Sequence, residues 1–229
     1  MPEQSDGHES SPVDMAAKIF CIGFNKTGTT SMHRLFMDLG LKSCHDHYSD
    51  LPPSHPLFFR HQCFSDGELH DFELLDRAFP GSKFIVTTRS LEDWLISRVR
   101  HVEFRRSIRA TGWMRKEYEA DPNSAVKKWI ERRLEYHQRV KGYFANRPND
   151  LLIVDICTGA DQNAILAAIV DFLGLDPPAG LTLTHNNARN EQDAAQAAVG
   201  RSKAEVRKEI VSVFQELGLE ERMYRSLFP

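Results

Sequence analysis

Residues 18–40 read KIFCIGFNKTGTTSMHRLFMDLG. Ile19, Phe20, Cys21 and Ile22 form a short apolar run, the pattern of a buried strand. Gly23-Phe24-Asn25-Lys26-Thr27-Gly28-Thr29-Thr30 follows. Apolar residues then recur at Met32, Leu35, Phe36 and Leu39, the spacing of one helix face, and Gly40 stands where a helix stops. Strand, Gly/Thr loop and helix together predict a cradle for a phosphate-like anion. N–H groups in the loop and the first helical turn have no internal partner and point at the ligand. Gly28 lets the backbone come close, and Thr29, Thr30 and Ser31 add hydroxyl donors. The loop departs from the G-x4-G-K-[ST] pattern of nucleotide triphosphatases. Gly23 and Gly28 keep the spacing, but Thr29 stands where the lysine belongs and the ammonium has moved to Lys26. A turn that merely used glycine would require neither Lys26 nor three consecutive hydroxyl residues.

Outward from this unit, strand and helix patterns alternate. Residues 83–88, KFIVTT, and 151–156, LLIVDI, read as two more buried strands, and 41–44 as a weak one. Helical spacing covers 71–79, 91–100, 125–144, 164–173 and 202–217. Residues 51–56, LPPSHP, read as loop, as do 184–187. This alternation predicts an α/β fold: a three-layer sandwich around a central parallel sheet, with a C-terminal helix. Three firm strands are few for such a sheet, so further strands are expected in segments that read as loop. In open parallel sheets ligands bind beyond the carboxyl ends of the strands. Arg89, at the end of the 83–88 strand, is thereby expected on the same rim as Lys26. Residues 1–15 are polar and aperiodic and read as a disordered tail. Residues 16–190 read as the α/β domain, and 191–229 as a helical extension packing on it or on a partner.

With 229 residues the chain suits one domain, and its formal charge of −3 implies no general attraction to nucleic acid or membrane. Four cysteines lack C-x-x-C spacing, and no apolar run is long enough to span a bilayer. With no leader-like segment, this points to a reducing, cytoplasmic setting. The ten histidines are scattered and suggest no metal site. The basic stretch 98–116, with Arg98, Arg100, Arg105, Arg106, Arg109, Arg115 and Lys116 against Glu103, reads either as a solvated helix face or as a lid or patch receiving an anion.

Residues 23–31, GFNKTGTTS, resemble the 5′-phosphosulfate loop of sulfotransferases that use 3′-phosphoadenosine 5′-phosphosulfate (PAPS). Residues 84–97, FIVTTRSLEDWLIS, resemble their 3′-phosphate segment, with Arg89 and, eight positions on, Ser97 in the matching places. By spacing alone Ser97 is an ordinary helix-surface serine. Residues 143–152 and 172–175 are also similar to a bacterial and eukaryotic-microbial branch of the family. The resemblance implies a P-loop-like fold and sulfuryl transfer from PAPS, without a metal, to a small-molecule or glycan hydroxyl or amine. It implies Asn25, Lys26, Thr27, Gly28, Thr29, Thr30, Ser31, Arg89 and Ser97 as donor-binding residues, with Lys26 also catalytic. A homodimer is possible. Ser31 stands where the cytosolic members place an adenine-stacking tryptophan, and their late R-K-G and G-D-W-K signatures are absent; Arg189 or Arg201 are candidates for the missing charge.

The acceptor needs a base, and His45, Asp46 and His47, following the weak strand, are the candidates on the ligand rim. His33 reads as structural, and His55, His61 and His70 as possible pocket residues. Two rival readings stand beside this one. A small-molecule or nucleotide kinase would need Mg²⁺ and a carboxylate such as Asp155 at a strand end. A catalytically silent nucleotide-binding module would keep the loop and lose the chemistry.

Overall fold

The strands are short, parallel and arranged around the one that feeds the glycine loop. The computed structural model describes residues 17–226 and 228, apart from 46, 47, 49, 67, 68, 108–112, 159, 160 and 184–200. Among these, β1 (Ile19–Cys21), β2 (Ser43–Cys44), β3 (Cys63–Ser65), β4 (Lys83–Thr87) and β5 (Leu151–Val154) form one sheet in the order β2-β3-β1-β4-β5. Every pairing is parallel, and Phe20 lies between Phe64 and Phe84. The helices are α1 (Thr29–Asp38), α2 (Pro56–Arg60), α3 (Phe72–Ala78), α4 (Leu91–Ser107), α5 (Trp113–Ala120), α6 (Pro122–Phe144), α7 (Gln162–Leu173), α8 (Lys203–Glu216) and α9 (Glu221–Arg225).

Successive strand residues face opposite ways, which separates two cores. Phe20, Ile22, Phe84 and Val86 join Trp94, Val126, Trp129 and Tyr136 from α4 and α6, with Val206, Ile210 and Phe214 of α8 behind them. Cys21 and Ile85 join Met32, Leu35 and Phe36 of α1 and Leu166, Ile169 and Val170 of α7. The sheet is therefore covered by helices on both faces, as the alternating pattern predicts. Phe20 is fully buried, with its ring 5.3 Å from Phe64 and 5.5 Å from Phe84. Truncating such a side chain to alanine costs roughly 3–5 kcal/mol.

Local chemistry sets the element ends. Asp121 caps α6 by accepting from the Ser124 N–H at 3.1 Å, and Ser202 and Glu205 form a reciprocal capping box on α8. The 151–156 run is shorter as a strand than its apolarity suggests. Asp155 Oδ1 takes the N–H groups of Cys157 (2.8 Å) and Thr158 (3.2 Å), a side-chain turn that ends β5 at Val154. β3 is a hidden strand of the expected kind: three residues, Cys-Phe-Ser, are too few to show a period. The part of α4 beyond residue 100 falls in the basic stretch, where charge masks the apolar spacing, and α5 begins inside that stretch. Arg98 there is not on a solvated face: it is 2% exposed. The expected tail 1–15, the 184–187 loop, Arg109 and Arg189 lie outside the described residues. Among the described residues no helix is long and apolar enough to cross a membrane.

Candidate active site

The carboxyl ends of all five strands open on one rim, and residues 22–28 leave β1 in its middle. Two tyrosines secure this exit. Tyr136 donates to the Ile22 carbonyl at 3.2 Å, and Tyr48 to the Cys21 carbonyl at 3.4 Å. Gly23 passes so close to β4 that a Cβ would lie 2.2 Å from Thr87 Oγ1 and 2.4 Å from its carbonyl oxygen. Gly28 caps α1 in the left-handed region (φ 98°), and no side chain caps that helix. The first-turn N–H groups of α1 thus have no intrahelical partner, and the turn carries hydroxyls with no acid among them.

Lys26 also has a left-handed backbone, with φ 73°. That conformation costs an L-residue about 1–2 kcal/mol, so the surroundings must hold it. Trp94 Nε1 donates to the Asn25 carbonyl at 2.9 Å, and Arg89 Nη1 to the Lys26 carbonyl at 3.3 Å. The two residues expected at opposite ends of the donor therefore meet directly on one rim. Thr27 turns inward: its hydroxyl donates to the Phe24 carbonyl (2.5 Å) and lies 2.8 Å from Thr87 Oγ1, and its N–H also reaches Phe24. It builds the loop rather than lining it. Thr29 and Ser31 are largely buried, while Thr30, Arg89 and Ser97 are half-buried.

The family model for the sulfotransferase domain matches residues 18–192, most of the chain, and spans every strand of this rim. The chain belongs to the sulfotransferase family. The crystal structure of a sulfotransferase from Alicyclobacillus acidocaldarius shares the fold with a TM-score of 0.50 at 14% identity, covering 92% of this chain and 99% of that one. Comparison with curated proteins gives no match.

In this sulfotransferase-family chain the rim is strongly cationic. Arg133 of α6 is fully buried; it donates to Thr88 Oγ1 at 3.0 Å and to the Arg89 carbonyl. Burial and the neighbouring Arg89 and Arg98 push its pKa down to about 9, which still leaves a cation near neutrality. His101, half-buried on α4, is pushed down to about 3 by burial and then by Lys26, Arg105 and Arg98. The lesser, electrostatic part of these shifts comes from neighbouring cations, a setting that favours an anion.

Of the three residues expected as base, Asp46 and His47 lie outside the described residues. His45 is brought to the loop. Its Nδ1 sits 2.5 Å from the Ser65 carbonyl, which can only accept, so in the neutral ring Nε2 carries the lone pair. Thr30 Oγ1 lies 3.2 Å from that Nε2 and is its donor. His33 behaves as a structural residue: it holds Ser43 Oγ at 2.8 Å and stacks on His45, and burial lowers its pKa. His70 is buried against Tyr48, with ring centroids 4.4 Å apart. Asp155, the carboxylate a kinase would need, has Oδ1 occupied by the two N–H groups of its own turn.

Sequence reasoning missed Arg133, Trp94 and His101, whose contacts with the rim lie across long stretches of sequence.

Proposed function

We propose that this sulfotransferase takes its sulfuryl group from PAPS and passes it to a hydroxyl or amine. The observation that supports this reading is the contact between Arg89 and the Lys26 carbonyl, which brings the Arg89 guanidinium onto the glycine loop that leads into the N-terminus of α1. The residues present fit a doubly anionic nucleotide. Gly28 supplies the left-handed turn that opens α1, and Lys26, Arg89 and Arg133 supply positive charge. Backbone N–H groups at Thr29, Thr30 and Ser31 would hold the 5′-phosphosulfate, with Lys26 stabilising charge on the departing phosphate. Arg89 and Ser97 would hold the 3′-phosphate, the planar guanidinium suiting two oxygens.

In the transfer, the acceptor atom forms a bond to sulfur while the bond from sulfur to the 5′-phosphate oxygen breaks. The acceptor's proton would go to a base; His45 is our candidate, and the Ser65 carbonyl on its Nδ1 supports Nε2 as the accepting atom. Thr30 has a single hydroxyl proton. Turning it from His45 to a bound phosphate would release Nε2 for the acceptor, coupling donor binding to base competence.

The test is thermal unfolding with 3′,5′-diphosphoadenosine. A ligand at 100 times its Kd adds about 2.7 kcal/mol, which raises Tm by roughly 5–10 °C in a chain of this size. No shift with 3′,5′-diphosphoadenosine, and one with ATP that requires Mg²⁺, would replace this reading with the kinase.

A further inference from the structure

We infer that Arg133 is a positioning residue for the donor site, acting through Arg89 within a buried cation–indole pillar. The inference rests on the PAPS reading. Arg133, with no exposed surface, sits on α6, far in sequence from the loop and from Arg89. Its guanidinium lies 4.7 Å from the Trp94 ring, and Arg98 stands 5.0 Å from that ring and 4.7 Å from Trp129. Two buried guanidiniums interleaved with two indoles are costly to assemble, and their planes admit little motion.

Two adjacent members of the pillar act on the rim. Arg133 Nη2 donates to the Arg89 carbonyl and to Thr88 Oγ1, fixing the backbone from which the Arg89 side chain leaves. Trp94, stacked under Arg133, donates to the Asn25 carbonyl, one residue before Lys26. Arg89 closes the ring by donating to the Lys26 carbonyl. The left-handed Lys26 is thus held by carbonyl bonds on both sides, and both trace to the same stack. Arg133 of α6 bonds only the β4 half of the donor site, while Trp94 of α4 bonds the β1 half.

A merely structural arginine and a positioning arginine differ in what they depend on. If Arg133 acts by aiming Arg89, its loss should matter for the 3′-phosphate, and only while Arg89 is present. The experiment measures Kd for 3′,5′-diphosphoadenosine and for 5′-AMP in wild type, Arg133→Lys, Arg89→Ala and the double variant. Arg133→Lys keeps the charge but loses the flat two-acceptor geometry. It should weaken 3′,5′-diphosphoadenosine binding about tenfold, the worth of one charged hydrogen bond, and leave 5′-AMP within about twofold. In the Arg89→Ala background the same change should cost less than about twofold. Equal losses for both nucleotides, or in both backgrounds, would overturn the positioning role alone. Wild-type protein that bound neither nucleotide would overturn the PAPS reading and this inference together. Should Arg133→Lys fail to fold, Arg133→Gln, which keeps an N–H for the Arg89 carbonyl, and Thr88→Val, which removes only the second acceptor, are judged by the same pattern.

Discussion

Gly28→Ala tests the cradle where its geometry is tightest. At φ 98° an alanine pays about 1–2 kcal/mol for a left-handed backbone. Its Cβ would lie 2.6 Å from both Cδ1 and Cγ1 of Ile156 and 3.3 Å from Cys157 Sγ. Ile156 is 1% exposed and packed in the α1–α7 core, so it has little room to yield. Such overpacking costs about 1–3 kcal/mol, and the stiffer unfolded chain returns about 0.4–1 kcal/mol. The net loss is roughly 2–4 kcal/mol, a fall in Tm of roughly 4–16 °C. Denaturant unfolding of the single variants and of Gly28→Ala/Ile156→Ala separates the terms, because the second change removes both clashing carbons. The two losses should fall short of additivity by about 1–3 kcal/mol. Additivity within about 0.5 kcal/mol would show that Gly28 and Ile156 do not meet as described, and the close packing of this loop on the β5 exit would have to be abandoned.

Lys26→Ala should lower sulfuryl transfer about 10²–10³-fold with the fold intact, so normal turnover on a verified acceptor would remove Lys26 from the chemistry. Lys26→Gly should be equally inactive yet more stable than Lys26→Ala by about 0.5–1 kcal/mol in urea unfolding, since only the glycine escapes the φ 73° penalty. Arg89→Ala should weaken 3′,5′-diphosphoadenosine far more than 5′-AMP by calorimetry; equal losses would take Arg89 out of the 3′ pocket. Buried His137 has its pKa pushed down to about 2 by burial and then by Arg133 and Lys141. The unfolded chain binds a proton near pH 6.5 that the folded chain refuses, so this contribution is intact at neutral pH and erodes as pH falls below 6.5. His137→Gln should flatten the acid limb of a stability–pH curve by up to about 1.4 kcal/mol per pH unit, and an unchanged slope would count against a neutral buried imidazole.

The α/β class, the loop and its neighbour Arg89 were legible because each depends on a few consecutive residues. An apolar run followed by glycines, lysine and hydroxyls states its backbone needs locally, and a residue at a strand end inherits its place from the rule for parallel sheets. Family resemblance added Ser97 as a candidate, which its own helix would not have marked. Arg133 was illegible for the opposite reason: its partner Arg89 lies 44 residues away, and Trp94 meets Asn25 across 69. An arginine inside an amphipathic pattern reads as a solvated position, and only the stack of indoles and the waiting carbonyl turn it inward. The same holds for His45, whose usable nitrogen is chosen by a carbonyl on β3, a strand too short to announce itself. Local sequence thus determined which backbone could receive an anion. The tertiary structure decided which distant side chains aim and polarise it, because hydrogen bonds and stacking act over a few ångströms of space and take no account of distance along the chain.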